Sequence, residues 1–328
     1  MAGRTIAQRA IVATVMSVAI LFASGCGLRW ETEPSPVPVA DQATLDRDAL
    51  AAAVDAVAIA AETRDGGADP RASEIAAAQR DALGGVYVAY PDADVTASPT
   101  ATAPLRLDDA VASLRTTARD IAAHSTDANL AAIATSIDLA WAVHEAWNDA
   151  DAATDTDADA FAPDGSPLPL PDGTESTAGF SPVLTTALAP DVVARLAVAH
   201  DQARFAYETA AAHVFAHERD EALERAGAHG ARADALAAAT SAPDERTAVY
   251  QLRNVNLGDA VTRDEFLRGL EEDLALTYAA LATTAQSGDR EWLLNAAFSS
   301  YLAARDAGTG PEFLTPLPGL TVTDPSQG

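Results

Sequence analysis

The chain has 328 residues, 48 Asp and Glu against 21 positive residues, a formal charge of −27 and a single cysteine. Every positive residue is arginine, and a surface this acidic repels nucleic acid and anionic headgroups, which excludes nucleic-acid binding and electrostatic attachment to a membrane. Aromatic residues are only 5% and much of the apolar fraction is alanine, so a core must come from closely packed helices with small side chains and no disulfide to staple them.

Arg4 and Arg9 precede an apolar run that begins at Ala10 and closes on Ala23-Ser24-Gly25-Cys26. A run of roughly 14 residues fits an export signal and falls short of the ~18 needed to span a bilayer. The small residues before Cys26 resemble the bacterial lipoprotein signal, in which a diacylglycerol is joined to the cysteine sulfur and the peptide is cut before it. The resemblance implies a signal peptide over residues 1–25, lipidation at Cys26, and a mature protein held by fatty acyl chains on the outer face of the cell membrane.

Residues 26–42, with three prolines among small and polar residues, read as an extended tether. A first helix is expected over 43–64, with Leu45, Ala49, Ala52, Ala56 and Ile59 on one stripe and Gly66-Gly67 ending it. Asp69 and Pro70 start a second helix that reaches Leu83, before Gly84-Gly85. Val86 to Tyr90 reads as a short extended piece and 91–104 as a loop. Leu107, Val111, Leu114, Ala118 and Ile121 form the seam of a third helix. Asp127 caps a fourth, carrying Leu130, Ile133, Ile137, Trp141 and His144, so 43–148 reads as an N-terminal helical bundle.

Residues 149–185 turn acidic and then rich in proline and glycine, which marks an interdomain linker. Asp155, Asp157 and Asp159 invite a calcium reading, but Ala160 replaces the sharp-turn glycine and Ser166 the bidentate glutamate, so the run reads as solvated linker. Helices resume at Pro190, the fifth ending near His217, the sixth over 219–239, and the seventh over 262–284 with Thr262 and Glu265 as a capping box. Leu267, Leu270, Leu274, Tyr278 and Leu281 share a face of the seventh. The eighth reaches Asp306, completing a second bundle over 186–307 ahead of a proline-rich tail, 308–328. Four helices on each side of the linker suggest a repeat: Ala123-His124-Ser125-Thr126-Asp127 answers Ala285-Gln286-Ser287-Gly288-Asp289, and Ala78 to Leu83 answers Ala231 to Leu236.

The stretches AHDQARFAYE, EALERAGAHGARADALAAAT and LEEDLALTYAAL, with the closing EFLTPLPGL and the GLRWETEPSPVP after Cys26, resemble an actinobacterial ferritin-like domain of unknown function found in exported, lipid-anchored proteins. The resemblance implies an all-α fold, an up-and-down four-helix bundle in the C-terminal half. Ferritin-like di-iron sites need a Glu from each of two helices and a Glu-x-x-His pair from each of the others. Here Ala226 stands three residues before His229, and Leu294 three residues after Glu291. The resemblance places His200 and Glu271 where relatives show glutamates. At 100° per residue His200 falls with Val192, Val193, Leu196 and Tyr207 on an apolar face, His229 at the edge of its stripe, and Glu271 nearer a polar border. These three are the candidate metal residues. His213 and His217, four apart, could chelate a transition ion, although exposed histidines near a helix C-terminus are the simpler reading. Trp141, Trp147 and Trp292 read as packing residues, and no nucleophile motif or phosphate loop is present. The sequence therefore points to a lipid-anchored, non-catalytic binding or structural module with no cofactor. The alternatives are a metal-binding oxidoreductase with a reduced site, or an acidic surface that captures cations or a basic partner.

Overall fold

The computed structural model describes residues 40–63, 68–85, 105–148, 186–252 and 255–320. These residues hold eight α-helices, one short 3-10 turn and no strand, so the fold is all-α among them. The helices are α1 (Gln42–Glu62), α2 (Pro70–Leu83), α3 (Leu107–His124), α4 (Ala128–Asn148), α5 (Pro190–Ala211), α6 (His217–Ala239), α7 (Ala260–Thr284) and α8 (Ser287–Asp306). The expected linker, the Asp155 to Asp159 run, the Val86 to Tyr90 piece and Cys26 lie outside the described residues.

Helix ends follow local chemistry. Asp69 accepts from the Ala72 amide at 2.9 Å, with Pro70 in the first turn of α2. Asp127 caps α4 by accepting from the Asn129 and Leu130 amides. For α7 the expected capping box is replaced: Asp259 is the cap, and it accepts from both the amide (3.0 Å) and the hydroxyl (2.8 Å) of Thr262. A carboxylate takes the position because its charge also meets the positive end of the helix dipole. The fifth helix stops at Ala211, short of His217, because the chain turns sharply through Ala216 at φ 51° before α6 begins. His213 thus lies in the break and His217 at the start of α6, so the two share no helix face. His217 begins α6 and pairs with Glu221 at 3.2 Å.

Neighbouring helices pair, α1 with α2, α3 with α4, α5 with α6 and α7 with α8, and the short connections make each pair antiparallel. α1 also packs on α3, α5 on α7, and α4 on both α7 and α8. The two sets of four share one continuous core that runs from Leu50, Ile75 and Trp141 to Tyr278, Leu293 and Tyr301. Trp141 and Trp292 are buried in it, and Trp147 packs against it. Alanines fill much of this core, which brings helix backbones close and leaves dispersion between small side chains to do what larger residues do elsewhere.

The buried face of α1 is Leu50, Ala51, Val54, Val57 and Ala61. The stripe of Leu45, Ala49, Ala52, Ala56 and Ile59 lies about 180° away at 100° per residue, and Leu45 and Ile59 are 51% and 54% exposed. In an alanine-rich helix both faces carry apolar periodicity. Leu50, Val54 and Val57 enter the core, while Leu45 and Ile59, equally branched, stay on the exposed face.

Two arginines join the helix sets by closing helix ends. Arg290 donates to the Ala122 carbonyl in the last turn of α3, and Arg305 to the Ala146 carbonyl in the last turn of α4 at 2.8 Å. The described part of the proline-rich tail is a docked strap. Arg71 donates to the Leu314 carbonyl, Gln79 to that of Pro316 at 2.8 Å, and Ser136 to that of Pro318 at 2.8 Å. Leu314 and Leu317 are buried, and Gly319 at φ 81° lies so close to α7 that a Cβ there would run into the Ala279 carbonyl. Prolines suit this role because the strap needs carbonyl acceptors and no amide donors.

Candidate functional site: a buried histidine array

The second helix set carries a row of polar side chains inward over about two helical turns. α5 supplies His200 and Tyr207, α6 supplies Arg225, His229 and Arg232, and α7 supplies Glu271 and Tyr278. His200 and Tyr207 are seven apart, as are Glu271 and Tyr278, a spacing that puts both members of each pair on one helix face. His200, His229 and Glu271 are all at most 1% exposed. The three residues singled out from helix phase do meet. Glu271, expected near a polar border, is fully buried because Arg225 and His229 both reach it from α6.

The contacts run in a line. Tyr278 Oη lies 2.6 Å from His200 Nε2, His200 Nδ1 lies 2.9 Å from His229 Nδ1, and His229 Nε2 lies 3.0 Å from Glu271 Oε1. Glu271 Oε1 also accepts from Arg225 Nε at 2.7 Å and from the Tyr207 hydroxyl at 3.0 Å, and the Tyr207 ring stacks on His229. The far side of Tyr278 meets the Trp292 ring edge-on, with centroids 6.2 Å apart.

The charge state follows from these partners. Burial raises the Glu271 carboxyl, but the attraction of Arg225 and the hydrogen bond from His229 outweigh it and hold the group well below the ordinary carboxylate range. Burial lowers His200 well below the ordinary imidazole value, reinforced by His229 and Arg232, and burial likewise lowers His229 despite its bond to Glu271. Both rings are therefore neutral at pH 7. An ionised Glu271 must receive the proton of His229 Nε2, which leaves His229 Nδ1 bare, so His200 must carry its proton on Nδ1 and accept from Tyr278 at Nε2. Every ring nitrogen is used once, in one direction, from phenol to carboxylate.

This arrangement does not suit a metal. His229 faces His200 with one nitrogen and Glu271 with the other, so the three groups have no common point. Among the described residues no three His, Cys, Asp or Glu side chains are disposed to hold a metal ion. The Glu271 Oε2 and Arg225 Nη2 atoms, both buried, have no protein hydrogen-bond partner, so polar capacity remains on the Arg225 side of the array. Arg225, and the linking part of Tyr278, escaped sequence reasoning. An arginine on an alanine-rich helix reads as surface, and only its seven-residue phase with Arg232 and its four-residue phase with His229 could have pointed inward.

Comparison with protein-family models, curated proteins and solved structures finds no match to this chain. Among the described residues no helix is long and apolar enough to cross a membrane.

Proposed function

We propose that this chain is an exported protein held at the outer membrane face by lipid on Cys26, and that its second helix set is a ferritin-like bundle that serves as a non-catalytic binding or structural module. The observation that carries the second part is the direction of the ring nitrogens: the inward-facing polar groups of His200, His229, Glu271 and Tyr278 bond to one another in line and leave no convergent ligand set. The closing arginines, the strap and the shared alanine core are the features of a scaffold. The anchor rests on Ala23-Ser24-Gly25-Cys26 and on an acidic chain that has no electrostatic route to anionic lipid.

Metal analysis of the purified protein tests the module reading. It predicts no stoichiometric iron or manganese, and one equivalent that is lost in a His200→Ala variant would replace it with the oxidoreductase reading. For the anchor, Cys26→Ser is expected to move the protein from the membrane fraction to the soluble one, and full membrane retention would contradict lipidation.

A further inference from the structure

We infer that the Tyr278–His200–His229–Glu271 array is a two-position proton switch: one added proton reverses the hydrogen bond at Tyr278, and a second breaks the contact between the two histidines. The inference is independent of lipidation and rests on the same in-line contacts as the module reading.

At neutral pH the array holds three bridging protons, all directed toward Glu271: Tyr278 Oη–H to His200 Nε2, His200 Nδ1–H to His229 Nδ1, and His229 Nε2–H to Glu271 Oε1. Glu271 sets this polarity, since it is ionised by Arg225 and receives the Tyr207 hydroxyl as well. Suppose one proton enters. Whichever imidazole takes it, the contact between the Nδ1 atoms accommodates one hydrogen only, and the Glu271 end already has its donor. The surplus therefore emerges at His200 Nε2 as an N–H, which must donate to Tyr278 Oη. Tyr278 becomes an acceptor and its own hydrogen must turn away, in a pocket where its side chain is only 2% exposed and Trp292 packs against its ring. A second proton would put hydrogens on both Nδ1 atoms at 2.9 Å, where no hydrogen bond remains and two cations repel.

The groups that face the array are Tyr207 from α5, Arg225 and Arg232 from α6, and Glu271 and Tyr278 from α7, while α8 presents the uncharged Trp292 and, through Arg225, the more distant Asp306. The two arginines oppose protonation of both rings and Glu271 favours it, so the two histidines titrate as one coupled unit.

The test is an imidazole ¹⁵N titration of the intact protein by NMR from about pH 7.5 to about pH 4.5, the range in which histidine protonation is read, with the assigned indole N–H signal of Trp292 followed in parallel. The expected result is a single shared protonation that moves His200, His229 and Trp292 signals together, with no second step before the protein unfolds. In Tyr278→Phe the acceptor for His200 Nε2–H is gone, so the step should shift to lower pH and no longer move Trp292. Two independent histidine titrations in the wild-type protein, which requires no variant, would overturn the inference. So would a Tyr278→Phe variant that folds and titrates unchanged.

Discussion

His200 and His229 meet nitrogen to nitrogen, Nδ1 to Nδ1 at 2.9 Å, at a point where neither ring has access to water. One of the two must hold the hydrogen and the other must lack it, and Glu271 on the far side of His229 decides which. Much of the behaviour expected of this protein follows from that pairing.

Stability should fall with acid in two stages. A histidine whose folded value lies below the ordinary 6.5 gives stability that is complete above 6.5, because the unfolded chain binds the extra protons, and that is lost as pH falls below it. A carboxylate held below the ordinary 4.5 behaves likewise, with its loss beginning as pH falls through that value. Urea midpoints measured from neutral pH downward should therefore decline first near 6.5 and again below 4.5. His229→Gln, which keeps a donor toward Glu271, should flatten the first decline.

The strap should be worth more than its length suggests. Gly319→Ala sets a methyl against the Ala279 carbonyl and forces an unfavourable φ, a combination expected to cost at least about 1 kcal/mol. Gln79→Ala removes the donor to Pro316 and the acceptor of the Trp141 indole together, for about 2 kcal/mol. Chemical denaturation reads both.

Asp138 is 1% exposed and receives Arg115 Nε at 3.1 Å and Arg119 Nε at 3.0 Å. Asp138→Ala removes the acceptor that Arg115 and Arg119 share, while Arg115 keeps Glu145 and Arg119 stays in reach of water, and should cost about 1–2 kcal/mol, visible as a lower thermal midpoint.

Ala216 adopts φ 51° and ψ −127° between α5 and α6, a conformation that favours glycine. Ala216→Gly should raise stability by up to about 1 kcal/mol. An unchanged midpoint would mean that the turn carries no strain.

How much of this was legible depended on which residue carried the signal. Asp69-Pro70 and Asp127 announced their helices because a capping carboxylate and a first-turn proline have few other uses, and both starts fell where expected. The end of α5 carried no such mark. His213 to His217 contains neither glycine nor proline, so periodicity ran on past the break, where the backbone turns at an alanine, Ala216. On α1 the apolar residues mark two opposite faces, and period alone did not choose between them. Helix phase did gather His200, His229 and Glu271. It carried no information about ring rotation, which distinguishes ligands converging on an ion from groups bonded in line. That distinction depends on Arg225 and Tyr207 fixing the carboxylate first.

The most direct measurement is the tautomeric state of the two histidines in the intact protein at neutral pH, read from imidazole ¹⁵N shifts. A directed array predicts opposite tautomers, His200 protonated at Nδ1 and His229 at Nε2. The same tautomer in both rings, or nitrogen shifts that mark a bound metal, would contradict it.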